Sequence, residues 1–132
     1  MTATLLDASA LLAWFQQEPG ADVVDQYLAS SAISSVNLAE VLYKLADRGV
    51  DPRASANDLR ELGVASIPFN ESHALAVARI RITQRSSANK ARPLSLADLC
   101  CIATAEAEQL TVLTCDREWE HVETTATITL VR

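Results

Sequence analysis

Glycine is scarce: Gly20, Gly49 and Gly63 are the only three in 132 residues. None stands in a G-x-G-x-x-G or P-loop context, which excludes a glycine-rich backbone cradle for nucleotide phosphate. Cysteine is as sparing. Cys100, Cys101 and Cys115 are odd in number, form no C-x-x-C pair and fall inside predicted elements, so neither a disulfide framework nor a zinc site is expected and the thiols read as reduced core residues. His73 and His121 make no metal-spaced pair, and both are predicted to lie at the surface. There is no G-x-S-x-G elbow, and scattered serines do not amount to a Ser-His-Asp triad. No run of about 20 apolar residues occurs, and the chain reaches Asp7 without a basic leader. These absences predict a soluble, cytoplasmic protein that neither enters a membrane nor is exported.

What is present describes an apolar globular chain. Its length predicts one domain over 1–132, able to bury roughly 70% of the surface of its unfolded form. The hydrophobic fraction is 49% and the charged fraction 21%, with a mean hydropathy of +0.11, which leaves apolar surface for a partner. The net charge of -6 runs against nucleic-acid binding, because phosphate is normally neutralised by Lys and Arg. Distribution qualifies that. Arg79, Arg81, Arg85, Lys90 and Arg92 fall in a stretch without a single acid, which reads either as a basic strip beside an acidic pocket or as a solvated helix face and loop.

The stretch from Leu94 to Asp116 organises the rest. Ser95 sits where an N-cap belongs and Asp98 follows three residues later, in the first turn of a helix whose stripe is Leu99, Ile102, Ala103 and Leu110. Residues 110–115 then read as a buried parallel strand that ends on Asp116. The same strand-acid-helix order opens the chain: residues 4–6, Asp7, and a helix over 8–17 with Leu11, Leu12, Trp14 and Phe15. Pro19-Gly20 breaks the pattern. A second helix over 21–29 is expected to turn Val23, Val24, Tyr27 and Leu28 inward, followed by a strand over 32–34.

Ser35 is the expected cap of a third helix running to about Arg48, with Gly49 as its stop. Its polar positions Asn37, Glu40, Lys44 and Asp47 form a narrow stripe, so most of that helix should be buried. Asp51-Pro52 opens a fourth helix ending near Gly63, residues 64–69 suit a strand, and a fifth helix over 71–85 puts Leu75, Ala78 and Ile82 on one face and Arg81 and Arg85 on another. Residues 86–93 read as a polar loop and 125–131 as a last, edge strand. Strands alternating with helices at spacings of roughly 25–35 residues predict a three-layer α/β domain with a mostly parallel sheet covered on both faces.

In such sheets ligands bind outside the carboxyl ends of the strands. Asp7 and Asp116 are strand-end residues, Asp98 opens a helix, and Glu40 lies on a helix expected to be buried. Each acid has a plainer reading, as a helix cap or, for Glu40, as an i, i+4 partner of Lys44 worth a few tenths of a kcal/mol. Taken together they are harder to dismiss. Two carboxylates about 5 Å apart at an effective dielectric near 20 repel by about 3 kcal/mol, so a converging cluster calls for cations. Oxygen-only ligands select hard divalent ions, which suit phosphate chemistry: one ion activates a water and a second stabilises the leaving oxygen.

The sequence resembles the PIN-domain ribonucleases, most closely the VapC-type toxins of toxin-antitoxin pairs. The resemblance rests on Leu-Leu-Asp-Ala-Ser at 5–9, Ser-x-x-x-x-Glu from Ser35 to Glu40, Leu-Ser-Leu-Ala-Asp at 94–98 before an alanine-rich helix, and Leu-Thr-Cys-Asp followed by Arg117 and Trp119. It implies a three-layer α/β/α PIN-like fold and Mg²⁺-dependent endonucleolytic cleavage of RNA, Mn²⁺ substituting, by a metal-activated water that leaves a 5′-phosphate. Asp7 and Asp98 would be the principal ligands, Glu40 a ligand or an orienter of the water, and Asp116 a contributor to a second metal position. Ser9 and Thr114 would support the site. The resemblance further implies a tRNA, rRNA or mRNA substrate, homodimerisation, and a cognate antitoxin covering the groove, for which Leu11, Leu12, Trp14 and Phe15 offer an apolar surface.

Two other classes compete. A receiver-type phosphoacceptor also holds Mg²⁺ with strand-end acids, but it needs a lysine late in the chain, whereas the last here is Lys90 and Arg117 is a poor substitute; acetyl phosphate labelling separates the two. A non-catalytic PIN-like module that binds RNA or protein gains nothing from an unneutralised carboxylate cluster, and metal dependence distinguishes it.

Overall fold

A computed structural model describes residues 2–86 and 93–132. Five strands, β1 (Thr4–Leu6), β2 (Ser31–Ser34), β3 (Ala65–Ile67), β4 (Thr111–Thr114) and β5 (Ile128–Leu130), form one all-parallel sheet in the order β3-β2-β1-β4-β5. Six helices lie among them: α1 (Ala8–Phe15), α2 (Ala21–Tyr27), α3 (Ser35–Ala46), α4 (Pro52–Glu61), α5 (Glu71–Ser86) and α6 (Leu96–Glu108). The layering follows from strand periodicity. On β1, Leu6 points into a cluster with Leu11, Val24, Ile33, Val41, Leu59 and Leu113. Leu5 points into the opposite one, with Ala32, Ile80, Ile102, Val112 and Trp119. Successive side chains of one buried strand thus serve the two faces, and helices must cover both.

The strand order locates the functional edge. From β1 the chain steps outward through β2 and β3, then returns across the sheet to place β4 on the other side of β1. The order reverses between β1 and β4, and the crevice outside their carboxyl ends is where parallel sheets bind ligands. Leu6 pairs with Leu113 in register, so Asp7 leaves the sheet level with Thr114, two residues before Asp116.

Several local expectations are corrected. The cap of α3 is Ser34, whose Oγ accepts from Val36 N–H at 3.3 Å; Ser35 Oγ instead accepts from Phe69 N–H at 3.0 Å and ties the exit of β3 to α3. Nor is most of α3 buried: Asn37, Val41 and Leu45 are, while Tyr43 is 56% exposed. Asn37, assigned to the polar stripe, is fully enclosed because its Nδ2–H reaches Ala97 O at 3.1 Å. Tyr27 turns outward rather than inward.

On α5 the apolar face formed by Leu75 and Ile82 is turned to solvent, each 66% exposed, and His73 and Ile80 are buried instead. The imidazole tolerates burial because both nitrogens have partners: Nδ1 accepts from Asn70 N–H at 3.3 Å and Nε2 meets Glu108 Oε1 at 3.2 Å. His121 is exposed, as expected. Cys100 and Cys101 are buried free thiols and Cys115 is half-buried. No helix among the described residues is long and apolar enough to cross a membrane. The loop expected over 86–93 falls outside the described residues at 87–92, and so do Lys90 and Arg92.

Candidate active site

Asp7 is the first residue after β1. Its N–H bonds Leu113 O at 2.9 Å, and its carbonyl accepts from Ala10 and Leu11 to start α1. The carboxylate makes no cap bond to that helix, so the plainer reading of Asp7 as a helix cap fails. Instead Oδ2 accepts Ser9 Oγ–H at 2.6 Å and Thr114 Oγ1–H at 2.8 Å. Both hydroxyls are held in turn by the segment just after β4: Ser9 Oγ accepts from Cys115 N–H and Thr114 Oγ1 from Asp116 N–H, each at 3.0 Å. The Asp7 residue is 3% exposed. Burial pushes its carboxyl up from 3.8 to about 6, with Asp98 and Glu40 adding repulsion and the two hydroxyl bonds opposing.

Asp98 completes the capping box the sequence suggested: its N–H donates to Ser95 Oγ at 3.1 Å, and Ser95 N–H reaches its Oδ2 at 3.3 Å. Its pKa is raised by partial burial, which outweighs the Ser95 bonds, with Asp116 and Glu40 adding repulsion. Glu40, on α3, takes Lys44 Nζ on Oε2 at 3.2 Å, while its Oε1 is buried and, among the described residues, without a hydrogen-bond partner. Asp116 caps the short 3-10 turn Arg117–His121 through Glu118 N–H at 3.0 Å; that turn drives Trp119 into the core, fully enclosed.

Four elements thus deliver the four anticipated acids, Asp7, Glu40, Asp98 and Asp116, to one cavity of about 600 Å³, whose wall also carries Glu18, Asp47, Ser9 and Lys44. The donor set is carboxylate oxygen throughout, which fits a hard divalent ion, as do the orphaned Glu40 Oε1 and the raised Asp7 and Asp98. The spacing is looser than a closed ligand set: among the described residues no three His, Cys, Asp or Glu side chains stand close enough to hold one ion. Lys44, Ser95 and Glu118 hold three of the acids in local bonds, and a cation would compete with them.

Among the residues of the anticipated RNA strip, Arg79, Arg81 and Arg85 do not line this cavity. Arg79 is paired with Glu106, and Arg81 Nη1 reaches Gln84 Oε1 at 3.4 Å. The cations that do line it are Lys44, Arg48 and Arg132. Asn37 was also missed as a positioning residue: one turn before Glu40, it fastens α3 to the first turn of α6, which carries Asp98. An amide among apolar neighbours was its only signal.

The PIN domain family model matches residues 4–124. No curated protein matches the chain. Among solved structures the fold is similar to that in a toxin-antitoxin complex from Klebsiella pneumoniae, 17% identical over 98% of both chains with a TM-score of 0.79. DNA-bound VapBC from Salmonella typhimurium is 18% identical over 100% of both chains, at 0.76. VapBC-5 from Mycobacterium tuberculosis, a member of the VapBC family of toxin-antitoxin systems, is 24% identical over 100% of this chain and 99% of that one, at 0.64.

Proposed function

The chain belongs to the PIN-domain family, and from that premise we propose that it is a Mg²⁺- or Mn²⁺-dependent endoribonuclease, the toxin of a toxin-antitoxin pair. The observation that carries the reading is the convergence of Asp7, Glu40, Asp98 and Asp116 on one cavity at the switch point of a parallel sheet. When bound, the divalent ion supplies an activated water and charge neutralisation for in-line displacement at a phosphodiester.

The residues do the rest. Asp7 and Asp98 are the principal ligands in this reading. Ser9 and Thr114 fix the Asp7 carboxylate by bonding one oxygen; among the described residues no protein donor is recorded for the other. Glu40 ligates the ion or orients the attacking water, and Asp116 serves a second cation position or its surroundings. A carboxylate held by two fixed hydroxyls loses little freedom when it binds, which is how supporting residues raise affinity.

A cognate antitoxin is the partner this reading calls for. Support comes from the family likeness and from a second cavity of about 560 Å³, where Trp14, Phe15 and Leu62 are flanked by Asp58 and Glu61, suited to an apolar segment with basic side chains. We also propose a homodimer, for which the solvent-facing Leu75 and Ile82 of α5 are available. The test of function is cleavage of tRNA, rRNA and mRNA fragments with Mn²⁺ or EDTA, beside Asp98→Asn. Discrete cuts requiring both metal and Asp98 are expected; metal-independent cutting, or none with any RNA, overturns the proposal.

A further inference from the structure

The cavity poses an electrostatic problem: an acidic pocket on a chain of net charge -6 has to admit an RNA backbone, and like charge opposes it. The described arginines of α5 do not face it. Along α3, however, Glu40, Lys44 and Arg48 succeed one another at intervals of four residues, and all three line the cavity. The spacing is about one 5.4 Å helical turn, close to the separation of successive phosphates in an extended single strand. Arg48 lies just beyond the helix, in a turn closed by its N–H to Leu45 O at 3.0 Å, and no side-chain bond is recorded for it among the described residues. Arg132, the other cation, is tied to Pro19 O at 3.2 Å.

We propose that Lys44 and Arg48 contact the RNA backbone phosphates beside the cut site, and that Lys44 does so by exchange, since it competes with a divalent cation for Glu40. The inference rests on the nuclease reading. Lys44 Nζ bonds one oxygen of a carboxylate whose other oxygen is buried and, among the described residues, unpaired. If Glu40 were taken by an ion, Lys44, whose side chain is 43% exposed and lines the cavity, would be free to meet the phosphate that arrives there. Metal and RNA loading are therefore coupled through one side chain.

The coupling makes opposite-signed expectations. Mn²⁺ binding is followed by calorimetry without RNA, and binding of a labelled single-stranded RNA by anisotropy in Ca²⁺ over a salt series, with strand integrity checked on a gel. Lys44→Gln should bind Mn²⁺ several-fold tighter and RNA more weakly, the salt slope falling by about 0.7 for one lost contact to a single strand. Arg48→Gln should lose the same slope with Mn²⁺ affinity unchanged, and Lys44→Arg should retain RNA binding. The double variant Arg81→Gln with Arg85→Gln should keep the full slope. An i, i+4 pair with a purely structural role would alter melting temperature and neither affinity. Unchanged slopes in Lys44→Gln and Arg48→Gln, or a loss that follows Arg81 and Arg85 instead, overturn the inference while leaving the nuclease reading intact. Failure of the unaltered protein to bind any RNA overturns both.

Discussion

The exits of β1 and β4 lie side by side, and each carries a hydroxyl residue and an aspartate, yet the two carboxylates are used in different ways. Asp116 caps the turn that follows it, the ordinary use of an acid at such a junction. Asp7 leaves its helix uncapped, is buried, and is held by hydroxyls drawn from both exits. An acid that caps stabilises the fold. One that is buried, charged and withheld from capping costs stability, and proteins tolerate such costs at functional sites.

The comparison sharpens most with Asp7→Asn. Cleavage should fall more than about 100-fold, beyond the loss typical of a merely supporting residue, and single-turnover rates with Mn²⁺ check it. Stability should move the other way. The folded pKa of Asp7 is raised from 3.8 to about 6, so its contribution is complete below pH 3.8 and is lost as pH rises through about 6. At about 1.4 kcal/mol per pH unit this amounts to at most about 3 kcal/mol, which Asp7→Asn should recover in EDTA at pH 7.5, read by urea unfolding.

Removing the hydroxyls probes the same arrangement less severely. Ser9→Ala or Thr114→Val should reduce metal affinity or cleavage by about 10- to 100-fold. Because those bonds lower the Asp7 pKa, its titration followed by NMR should move further upward; a downward move would break the account. The pH dependence gives a third test. Mn²⁺ should raise the melting temperature more at pH 7.5 than at pH 5, since only the ionised carboxylate holds the ion. The smallest effect belongs to the conventional acid: Asp116→Ala should cost about 1 kcal/mol through the lost cap, measured in EDTA, where Asp7→Asn stabilises.

Legibility followed the range of the interaction that decides each feature. The capping box of Ser95 and Asp98, the Asp51-Pro52 start of α4 and the strand-acid-helix order are settled within four residues, and all were readable. The choice between Ser34 and Ser35 as the cap of α3 was not, since either side chain suits the role and the strand exit at Phe69 claims Ser35. On α5 the stripe Leu75, Ala78 and Ile82 has helical spacing, but α6 packs against the side that holds Ile80 and offers His73 a partner in Glu108. Periodicity shows that a helix has faces; the neighbour decides which is covered.

What the sequence by itself determined is the alternation of strands and helices, the parallel sheet it entails, and the placing of Asp7 and Asp116 at strand ends, Asp98 at a helix start and Glu40 on a helix, because period, capping and chain order are local properties. Only the tertiary structure decided that β4 returns beside β1, that Thr114 and Ser9 meet over one oxygen of Asp7, and that Lys44 and Arg48 rather than the described arginines of α5 line the acidic cavity. Those facts join residues up to 107 positions apart, and no local pattern carries the burial and repulsion that arise when they meet.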